Sequence, residues 1–308
     1  MGPYIVIAGG VNVDIGGFSE LEPRDGDSNP GRVRLSAGGV GRNIAHNLVN
    51  LGVHTELLTA FGDDTLAPAA RRSCTEAGIG ISHARTVPGG QTSSYLFLCG
   101  PDGEMKLAVS DMSVCERITP DYLREQLPLI NGAALLILDT NLPEESVRFL
   151  AENAEVPIFA DPVSAAKAEK LRPVLGRLHT LKPNRLEASL LSGIPITDEK
   201  SLHAAAAALL DTGLRRVFIS LGEDGVFAAE KGNSLHLPAL KTNAVNVTGA
   251  GDAFMAALGW AQTRGLSMED AAEAGCAATA FAVESRETVS PLLSEVILLK
   301  RMKSEEKR

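Results

Sequence analysis

Residues 4–10 read Tyr-Ile-Val-Ile-Ala-Gly-Gly, and this stretch decides the fold. Five apolar residues in a row predict a strand buried on both faces, and the glycine pair predicts that it ends at a ligand crevice. Similar apolar runs recur at 135–138, 158–160 and 217–219, with helical patterns between them. Because strands that alternate with helices form parallel βαβ units, the sequence predicts an α/β fold with a mainly parallel central sheet.

Helical periodicity is clearest in the segment that follows the first glycine-rich turns. Ile44, Leu48 and Leu51 have the i, i+4, i+7 spacing of one apolar helix face, and Gly52 predicts the cap at its C-terminus. The same kind of pattern predicts five further helices, near 65–77, 143–153, 198–212, 251–264 and 268–284. These helices connect the predicted strands.

Two stretches, 33–35 and 93–109, do not follow the strand–helix alternation. In the second, Tyr95, Phe97 and Cys99 alternate with their neighbours before a turn at 100–103, which predicts β-ribbons with one polar face. A small sheet carried on an α/β body serves as a lid over the crevice, as a dimer surface or as decoration.

The domain organisation follows from these two kinds of segment. We expect one domain over residues 1–308, with the lid segments inserted near 15–36 and 91–111. The last residues, 300–308, are mostly charged, and we expect them to form a solvated, frayed tail.

Composition excludes several classes of protein. Of the 308 residues, 44% are hydrophobic and 22% are charged, which is enough apolar material for a core and excludes global disorder. The net charge of −9 argues against nucleic-acid binding, because most of the surface would repel a polyanion. No run of about 18 uncharged apolar residues and no basic leader occurs, so we expect a cytoplasmic protein that does not associate with membranes.

Several catalytic classes lack their motifs here. The four cysteines and six histidines have no metal-ligand spacing, which predicts reduced thiols and disfavours a zinc site. The sequence has no GxxxxGK[ST] loop, no GxSxG elbow and no GxGxxG fingerprint. Phosphate chemistry in this chain must therefore use a local positive site other than a P-loop.

Residues 246–254, Asn-Val-Thr-Gly-Ala-Gly-Asp-Ala-Phe, lead into a predicted helix and offer such a site. The free amides of Gly249, Ala250 and Gly251, at the positive end of the helix, form an anion hole. Asp252 beside them suits a base that takes the proton of a hydroxyl as it attacks phosphorus. A glycine turn followed by an aspartate that complements the helix dipole explains the same residues, so they leave both interpretations open.

A second polar cluster lies near the first strand. Gly39 and Asn43, within a glycine-rich run that precedes a helix, suit close approach to a sugar, although a simple strand-to-helix turn fits as well. Asn12 and Asp14 follow the first strand, where open α/β sheets bind ligands. A carboxylate accepts two hydroxyl hydrogen bonds from a vicinal diol, but Asn and Asp are also common in loops.

Two more segments have a functional and a structural interpretation. Asn184 and Glu187 stand three residues apart at a helix start, where they suit hydrated Mg²⁺ or form an N-cap with its capping-box glutamate. The turn at 220–225 follows another strand and either holds a nucleotide or closes a hairpin.

Taken in order, residues 38–43 and 248–254 resemble the two signatures of the PfkB (ribokinase-like) carbohydrate kinase family. The resemblance covers nearly the whole chain and implies a ribokinase-like three-layer α/β/α fold with a small β-sheet lid. It also implies that ATP and Mg²⁺ are the cofactors and that a small sugar or nucleoside is the substrate. By this resemblance Asp252 is the catalytic base, and the amides of Gly249, Ala250 and Gly251 form the anion hole.

The same resemblance assigns the remaining candidate residues. It implies sugar contacts at Asn12, Asp14, Gly39 and Asn43, a magnesium site, through water, at Asn184 and Glu187, and a nucleotide site at Asn184, Glu187, Ser220, Gly222, Gly225 and Thr248. Many relatives have an aspartate, linked to a monovalent cation, where this chain has Asn246, so activation by K⁺ stays open. Lid ribbons of the family often pair between subunits, which implies a homodimer.

Within the family, five segments are most similar to the members that phosphorylate pseudouridine: 27–31, 39–45, 92–96, 161–165 and 179–187. That similarity implies ATP-dependent phosphorylation of the 5′-hydroxyl of pseudouridine. Ser93, Asp111 and Met112 on the lid side, and also Lys167, are then the candidates that read the polar edges of the uracil ring. The alternatives are a related kinase acting on ribose, fructose or an N-linked nucleoside, a non-catalytic ligand-sensing protein of the same fold, and a nicotinamide dehydrogenase.

Overall fold

A computed structural model describes residues 2–305, in which one large sheet lies between two layers of helices. The strands are β1 (Tyr4–Ala8), β2 (Asn12–Ser19), β3 (Gly31–Gly38), β4 (His54–Leu58), β5 (Ala60–Phe61), β6 (Arg85–Thr86), β7 (Ser94–Cys99), β8 (Met105–Asp111), β9 (Leu135–Asp139), β10 (Ile158–Asp161), β11 (Thr180–Leu181), β12 (Arg216–Ser220), β13 (Val226–Glu230) and β14 (Asn233–Leu237). The helices are α1 (Val40–Asn50), α2 (Ala67–Glu76), α3 (Pro120–Asn131), α4 (Glu144–Asn153), α5 (Ala165–Ala168), α6 (Arg185–Ser192), α7 (Glu199–Asp211), α8 (Ala250–Thr263), α9 (Met268–Val283) and α10 (Glu295–Glu305).

The central sheet has eight strands in the order β14-β13-β12-β11-β10-β9-β1-β4. The six strands from β4 to β12 run parallel, and β13 and β14 extend one edge as antiparallel strands. The prediction of a mainly parallel sheet is therefore confirmed. Because parallel strands end at the same edge, the residues that follow β1, β9, β10 and β11 gather at one end of the molecule.

Strand β1 is buried on both faces, as predicted from its apolar run. Ile5 and Ile7 pack into one hydrophobic cluster with α1, α8 and α9, whereas Val6 and Ala8 pack into a second cluster with α3, α4 and α7. All four side chains are fully buried, and burying one such valine or isoleucine contributes about 1.5–3 kcal/mol. The two clusters make the three-layer α/β/α arrangement.

The five helices predicted by periodicity correspond to α2, α4, α7, α8 and α9. Helix α1 carries the predicted apolar face, and Gly52 follows it with a left-handed φ of 78°, as expected for a terminating glycine. Helix α10 continues into the predicted charged tail at 300–308, whose last three residues lie outside the described part of the chain. Among residues 2–305, no helix combines the length and the apolar character needed to cross a membrane.

The predicted small sheet is present and has the order β3-β2-β7-β8, with a turn in which the Gly103 amide donates to Gly100 O at 3.0 Å. We call these four strands the lid sheet. Leu35, Leu96 and Val109 lie in one row across it and are 65%, 47% and 59% exposed. The opposite face carries polar side chains that are also exposed, among them Arg34 and Lys106. The expectation of one polar face is therefore confirmed, and the other face of the lid sheet is apolar.

Candidate active site

Helix α8 begins at the carboxyl edge of the sheet with a glycine that no other residue replaces easily. Gly249 has φ of 84°, and a Cβ at this position would overlap the carbonyl oxygen of Thr288. No side chain caps the helix, and Gly251 in its first turn is exposed. Of the three predicted anion-hole residues, Ala250 already uses its amide, which donates to Val247 O at 3.3 Å. The other two predicted donors are the amides of Gly249 and Gly251.

Asp252 lies one residue further along α8 and is buried, with 9% of its surface exposed. Asn43 Nδ2 donates to Asp252 Oδ2 at 2.8 Å, which joins the start of α1 to the start of α8. Burial, together with the charge of Asp161, raises the pKa of Asp252 to about 7, while Asn43 and Lys182 act in the opposite direction. A carboxyl group with such a pKa suits general-base catalysis near neutral pH.

Asp14 forms the other side of the site, on strand β2 of the lid sheet. Asn12 Nδ2 donates to Asp14 Oδ1 at 2.6 Å, and a Cβ on Gly38 would overlap Asp14 Oδ2. Gly39 has φ of 102°, and a Cβ at this position would overlap Gly10 O. Burial raises the pKa of Asp14, against the opposing effects of Asn12 and Arg42. The absence of a side chain at Gly38 thus leaves space for the Asp14 carboxylate.

Arg42 connects the two sides, and no spacing or motif had marked it as a site residue. It is buried, and its Nε donates to Ser73 Oγ at 3.1 Å while its Nη1 lies 3.5 Å from Asn43 Oδ1. Its charge also acts on the Asp14 carboxylate. Asp14, Arg42, Asn43 and Asp252 therefore belong to one site.

Two further carboxylates lie at the ends of neighbouring strands and were missed. Asp139, at the end of β9, accepts the amides of Gly10 and Asn141, each at 2.8 Å. Asp161, at the end of β10, has its Oδ2 3.2 Å from Lys182 Nζ. The rule that open sheets bind ligands at the carboxyl ends of strands, which selected Asp14, applies equally to both.

Asn184 and Glu187 form the capping box that was one of their two interpretations. The Glu187 amide donates to Asn184 Oδ1 and the Asn184 amide donates to Glu187 Oε2, each at 2.9 Å. Glu187 is buried, and burial raises its pKa, with Asp161 contributing in the same direction and Lys182 opposing. The capping box uses one carboxylate oxygen, so Glu187 still fits contact with magnesium through water. Asn184 is exposed at the start of α6, where a bound ligand could reach it.

The predicted nucleotide turn lies beside Asn184. The Ser220 amide donates to Pro183 O at 2.9 Å, and the turn that contains Gly222 connects the antiparallel pair β12 and β13. The turn therefore closes a hairpin, and Gly225 within it has φ of 92° and no room for a Cβ beside Leu237 O. Thr248 is exposed near α8, and its amide donates to Asn246 Oδ1 at 3.0 Å.

The four residues expected to read a base divide into two groups. Ser93 is buried with its Oγ 3.8 Å from Cys115 Sγ. Burial and the charge of Asp139 raise the pKa of Cys115 to about 12, while Lys167 opposes this, so Ser93 and Lys167 share a neighbourhood. Lys167 Nζ donates to Asn141 Oδ1 at 2.6 Å.

Asp111 and Met112 are held differently. Asp111 Oδ1 accepts the Ser113 amide at 3.0 Å, so this carboxylate stabilises its own turn at the end of β8. Met112 is half-buried and packs against the hydrophobic cluster that contains α3 and α4. Of the predicted base contacts, Ser93 and Lys167 thus have the surroundings of a polar site at the sheet edge.

Comparison with known proteins agrees with this geometry. Residues 3–295 match the family described as pfkB family carbohydrate kinase. The chain belongs to this family. It is 39% identical over 300 residues to the pseudouridine kinase of Escherichia coli (strain K12), which covers 96% of each chain.

Solved structures confirm the ribokinase-like fold. A putative sugar kinase from Clostridium perfringens superposes with a TM-score of 0.87 and 32% identity, covering 98% of this chain and 96% of that one. A ribokinase from Arabidopsis thaliana, complexed with ribose and ATP, has a TM-score of 0.86 at 23% identity and covers 98% and 99%. The pfkB chain described here is thus a sugar or nucleoside kinase, a phosphotransferase that uses ATP and acts on an alcohol group of a small molecule. This excludes the nicotinamide dehydrogenase.

Proposed function

We propose that this pfkB kinase transfers a phosphoryl group from ATP to the 5′-hydroxyl of pseudouridine. The observation that carries the chemistry is the hydrogen bond from Asn43 to the buried Asp252, which sets a base between the sugar-binding turn and the start of α8. The choice of pseudouridine is supported by the 39% identity to the E. coli pseudouridine kinase over nearly the full length of both chains.

The reaction follows from the positions of these groups. Asp14 Oδ2, beside Gly38, accepts ribose hydroxyl hydrogens, and Asn43 is placed to contact the same sugar. Asp252 takes the proton of the 5′-oxygen as that oxygen forms its bond to the γ-phosphorus and the bond from phosphorus to the ADP oxygen breaks. The amides of Gly249 and Gly251 hold the charge on the transferring group.

The metal and the nucleotide belong to the other half of the proposed site. Glu187, with Asn184 at the exposed start of α6, would hold Mg²⁺ through water, and Ser220, Gly222, Gly225 and Thr248 would line the nucleotide. Mg²⁺ supplies neutralisation of phosphate charge when bound. Asn246 offers a neutral oxygen, already accepting the Thr248 amide, so the proposal includes no requirement for K⁺.

Recognition of the base is proposed at the polar neighbourhood of Ser93 and Lys167, with Asp111 and Met112 at the lid end. A uracil ring presents alternating N–H and C=O groups, which a hydroxyl and an ammonium can match. A polar edge left unpaired in a closed site costs about 1–3 kcal/mol, enough for discrimination between bases.

The lid sheet is the proposed dimer contact. Its apolar face carries the row formed by Leu35, Leu96 and Val109, together with Val33 and Leu107, which are 73% and 62% exposed. Burying such a face against a second copy removes apolar surface from water and covers the sheet. The proposal also places the enzyme in the cytoplasm, where ATP is available.

A substrate panel tests the proposal. Purified protein is incubated with Mg²⁺-ATP and, in parallel, pseudouridine, uridine, ribose and fructose, and the phosphorylated product is identified by mass spectrometry. We expect the highest kcat/KM with pseudouridine and phosphorylation at the 5′ position. A higher kcat/KM for any of the other three would replace pseudouridine with that substrate, and absence of product from all four would favour the ligand-sensing alternative.

A further inference from the structure

Lys182 is a buried ammonium at the edge of the site, and the function proposed above gives it no task. It is 5% exposed, and its Nζ lies 3.2 Å from Asp161 Oδ2. Removing an ammonium from water is costly unless the surrounding groups compensate for the lost hydration. A neutral residue would avoid that cost at a position that only connects two strands.

The position of the ammonium is the first argument for a role in catalysis. Lys182 directly follows β11, at the edge where the strands end, and its side chain reaches the first turn of α8. A Cβ added to Gly251 would lie 3.1 Å from Lys182 Nζ. The cation thus lies beside the positive end of a helix, and both would attract an anion that binds between them.

The carboxylates around Lys182 are the second argument. Asp161 Oδ2 lies 3.2 Å from its Nζ, and the charges of the buried Glu187 and Asp252 also act on the ammonium. An ammonium has three N–H donors, and the contact with Asp161 uses one, which leaves two for other acceptors.

We propose that Lys182 is a catalytic residue that donates hydrogen bonds to the phosphoryl group during its transfer, beside the amide of Gly251. This rests on the proposed kinase function. The bond from the acceptor oxygen to phosphorus forms, the bond from phosphorus to the ADP oxygen breaks, and the acceptor proton goes to Asp252. Lys182 keeps its protons throughout, and its fixed charge stabilises the oxygens of the transferring group.

The competing explanation is that Lys182 and Asp161 only tie β11 to β10. Lys182→Met alone does not separate the two, because it leaves Asp161 buried without its partner. The double variant Lys182→Met, Asp161→Asn removes both charges. Lys182 and Asp161 act on the pKa of Asp252 in opposite directions, so the double variant removes two effects that oppose each other at the base.

The experiment measures thermal unfolding, kcat with the best nucleoside, and calorimetric affinity for Mg²⁺-ADP with and without aluminium fluoride, which mimics the transferring group. We expect the double variant to melt near the wild type, to bind ADP alone with little change, and to lose kcat by about 10²–10³-fold. The gain in affinity that aluminium fluoride gives the wild type should disappear. A folded double variant that keeps this gain, or keeps kcat within about threefold, overturns the proposal.

A second variant keeps the test decisive if the double variant does not fold. Asp161→Asn retains the lysine and removes its partner, so we expect it to keep the aluminium fluoride gain that Lys182→Met loses. Equal loss in both single variants would show that the ion pair, and not the ammonium, is what matters.

The matched control is Lys170→Met. Lys170 Nζ donates to Thr140 O and Leu142 O, at 3.0 and 2.7 Å, so it ties the segment after β9 to the 3₁₀ helix at Glu169–Arg177 through backbone acceptors. We expect this variant to lose stability and to keep the aluminium fluoride gain. If the wild type phosphorylates none of the panel substrates, the proposed function fails; if the wild type is active and the Lys182 variants match it, only this inference fails.

Discussion

Asp252 and Asp14, the carboxylates on the two sides of the site, lie in regions built in different ways. Asp252 is on helix α8, buried among Asn43, Lys182 and Asp161, and α8 packs on the central sheet. Asp14 is on strand β2 of the lid sheet, half-buried, with glycines beside it and an apolar sheet face exposed to solvent. In the proposed function, the body therefore carries the catalytic base, and the lid sheet carries a carboxylate that binds the substrate.

The largest effect should come from removing the buried base. Asp252→Asn should lower kcat by about 10²–10⁴-fold with little change in fold, the usual range for a lost general base. Asp121→Asn is the matched control, because Asp121 also lies in the first turn of a helix but is exposed. If both variants lower kcat equally or neither does, Asp252 serves only the helix dipole.

Removing the lid carboxylate should produce a different signature. Asp14→Ala deletes the acceptor of ribose hydroxyls, and losing one or two such hydrogen bonds at about 1–1.5 kcal/mol each should raise the KM for nucleoside about 10–100-fold. The KM for ATP should stay near the wild-type value, as measured by steady-state kinetics with each substrate varied in turn. A parallel rise in both KM values would contradict the separation between body and lid.

The pH dependence of stability tests the buried carboxyl group in the body directly. Because the pKa of Asp252 is about 7 when folded and 3.8 in its ordinary state, the folded chain binds the extra proton between these values. The contribution of Asp252 to the free energy of unfolding therefore falls as pH rises from about 4 to about 7.

Asp252→Asn removes this titration, so we expect the variant to gain stability relative to the wild type between pH 5 and pH 8. Urea unfolding at both pH values measures the difference. The Asp121→Asn control should show no such gain, and an unchanged difference for Asp252→Asn would mean that its carboxyl group is not buried as described. In the same range, kcat/KM of the wild type should rise with pH as the base ionises.

The smallest effect on the protomer is expected at the lid surface. Leu96→Lys places a charge in the exposed apolar row and should change the free energy of unfolding of the protomer by no more than about 0.5 kcal/mol. If the lid sheet is the dimer contact, sedimentation should show monomer for this variant and dimer for Leu292→Lys, whose apolar side chain is also exposed but lies outside the lid sheet. The same association state for both variants would remove the lid from the contact.

The parts of the fold predictable from sequence are those whose local pattern has one explanation. The run at 4–8 predicted a strand buried on both faces because no polar residue interrupts it. Strand β4 was missed, since its Thr55 and Glu56 break the apolar run, and α3 was missed because Pro128 lies inside it and proline normally ends a helix. Alternation predicted the polar face of the lid sheet, but it does not reveal that the apolar face is also exposed to solvent.

The site shows the same limit. Gly249 and Asp252 could be singled out because glycines followed by an aspartate are typical of a helix start. The structure places both residues at the start of α8. The hydrogen bond between Asn43 and Asp252 joins residues 209 positions apart, which no spacing rule supplies. Lys182 and Arg42 became visible only through their burial, which depends on what the rest of the chain packs around them.

The placement of Asp14 on β2 has a consequence for timing. In the proposed function Asp14 on the lid sheet holds the nucleoside and Asp252 on α8 is the base, so a rotation of the lid sheet relative to α8 would change the separation between acceptor hydroxyl and base. A nucleoside that binds without closing the lid sheet would then react slowly. Selectivity between nucleosides would therefore appear in kcat as well as in binding affinity. Solvent viscosity should accordingly slow good substrates more than poor ones, since only for good substrates does closure limit the rate.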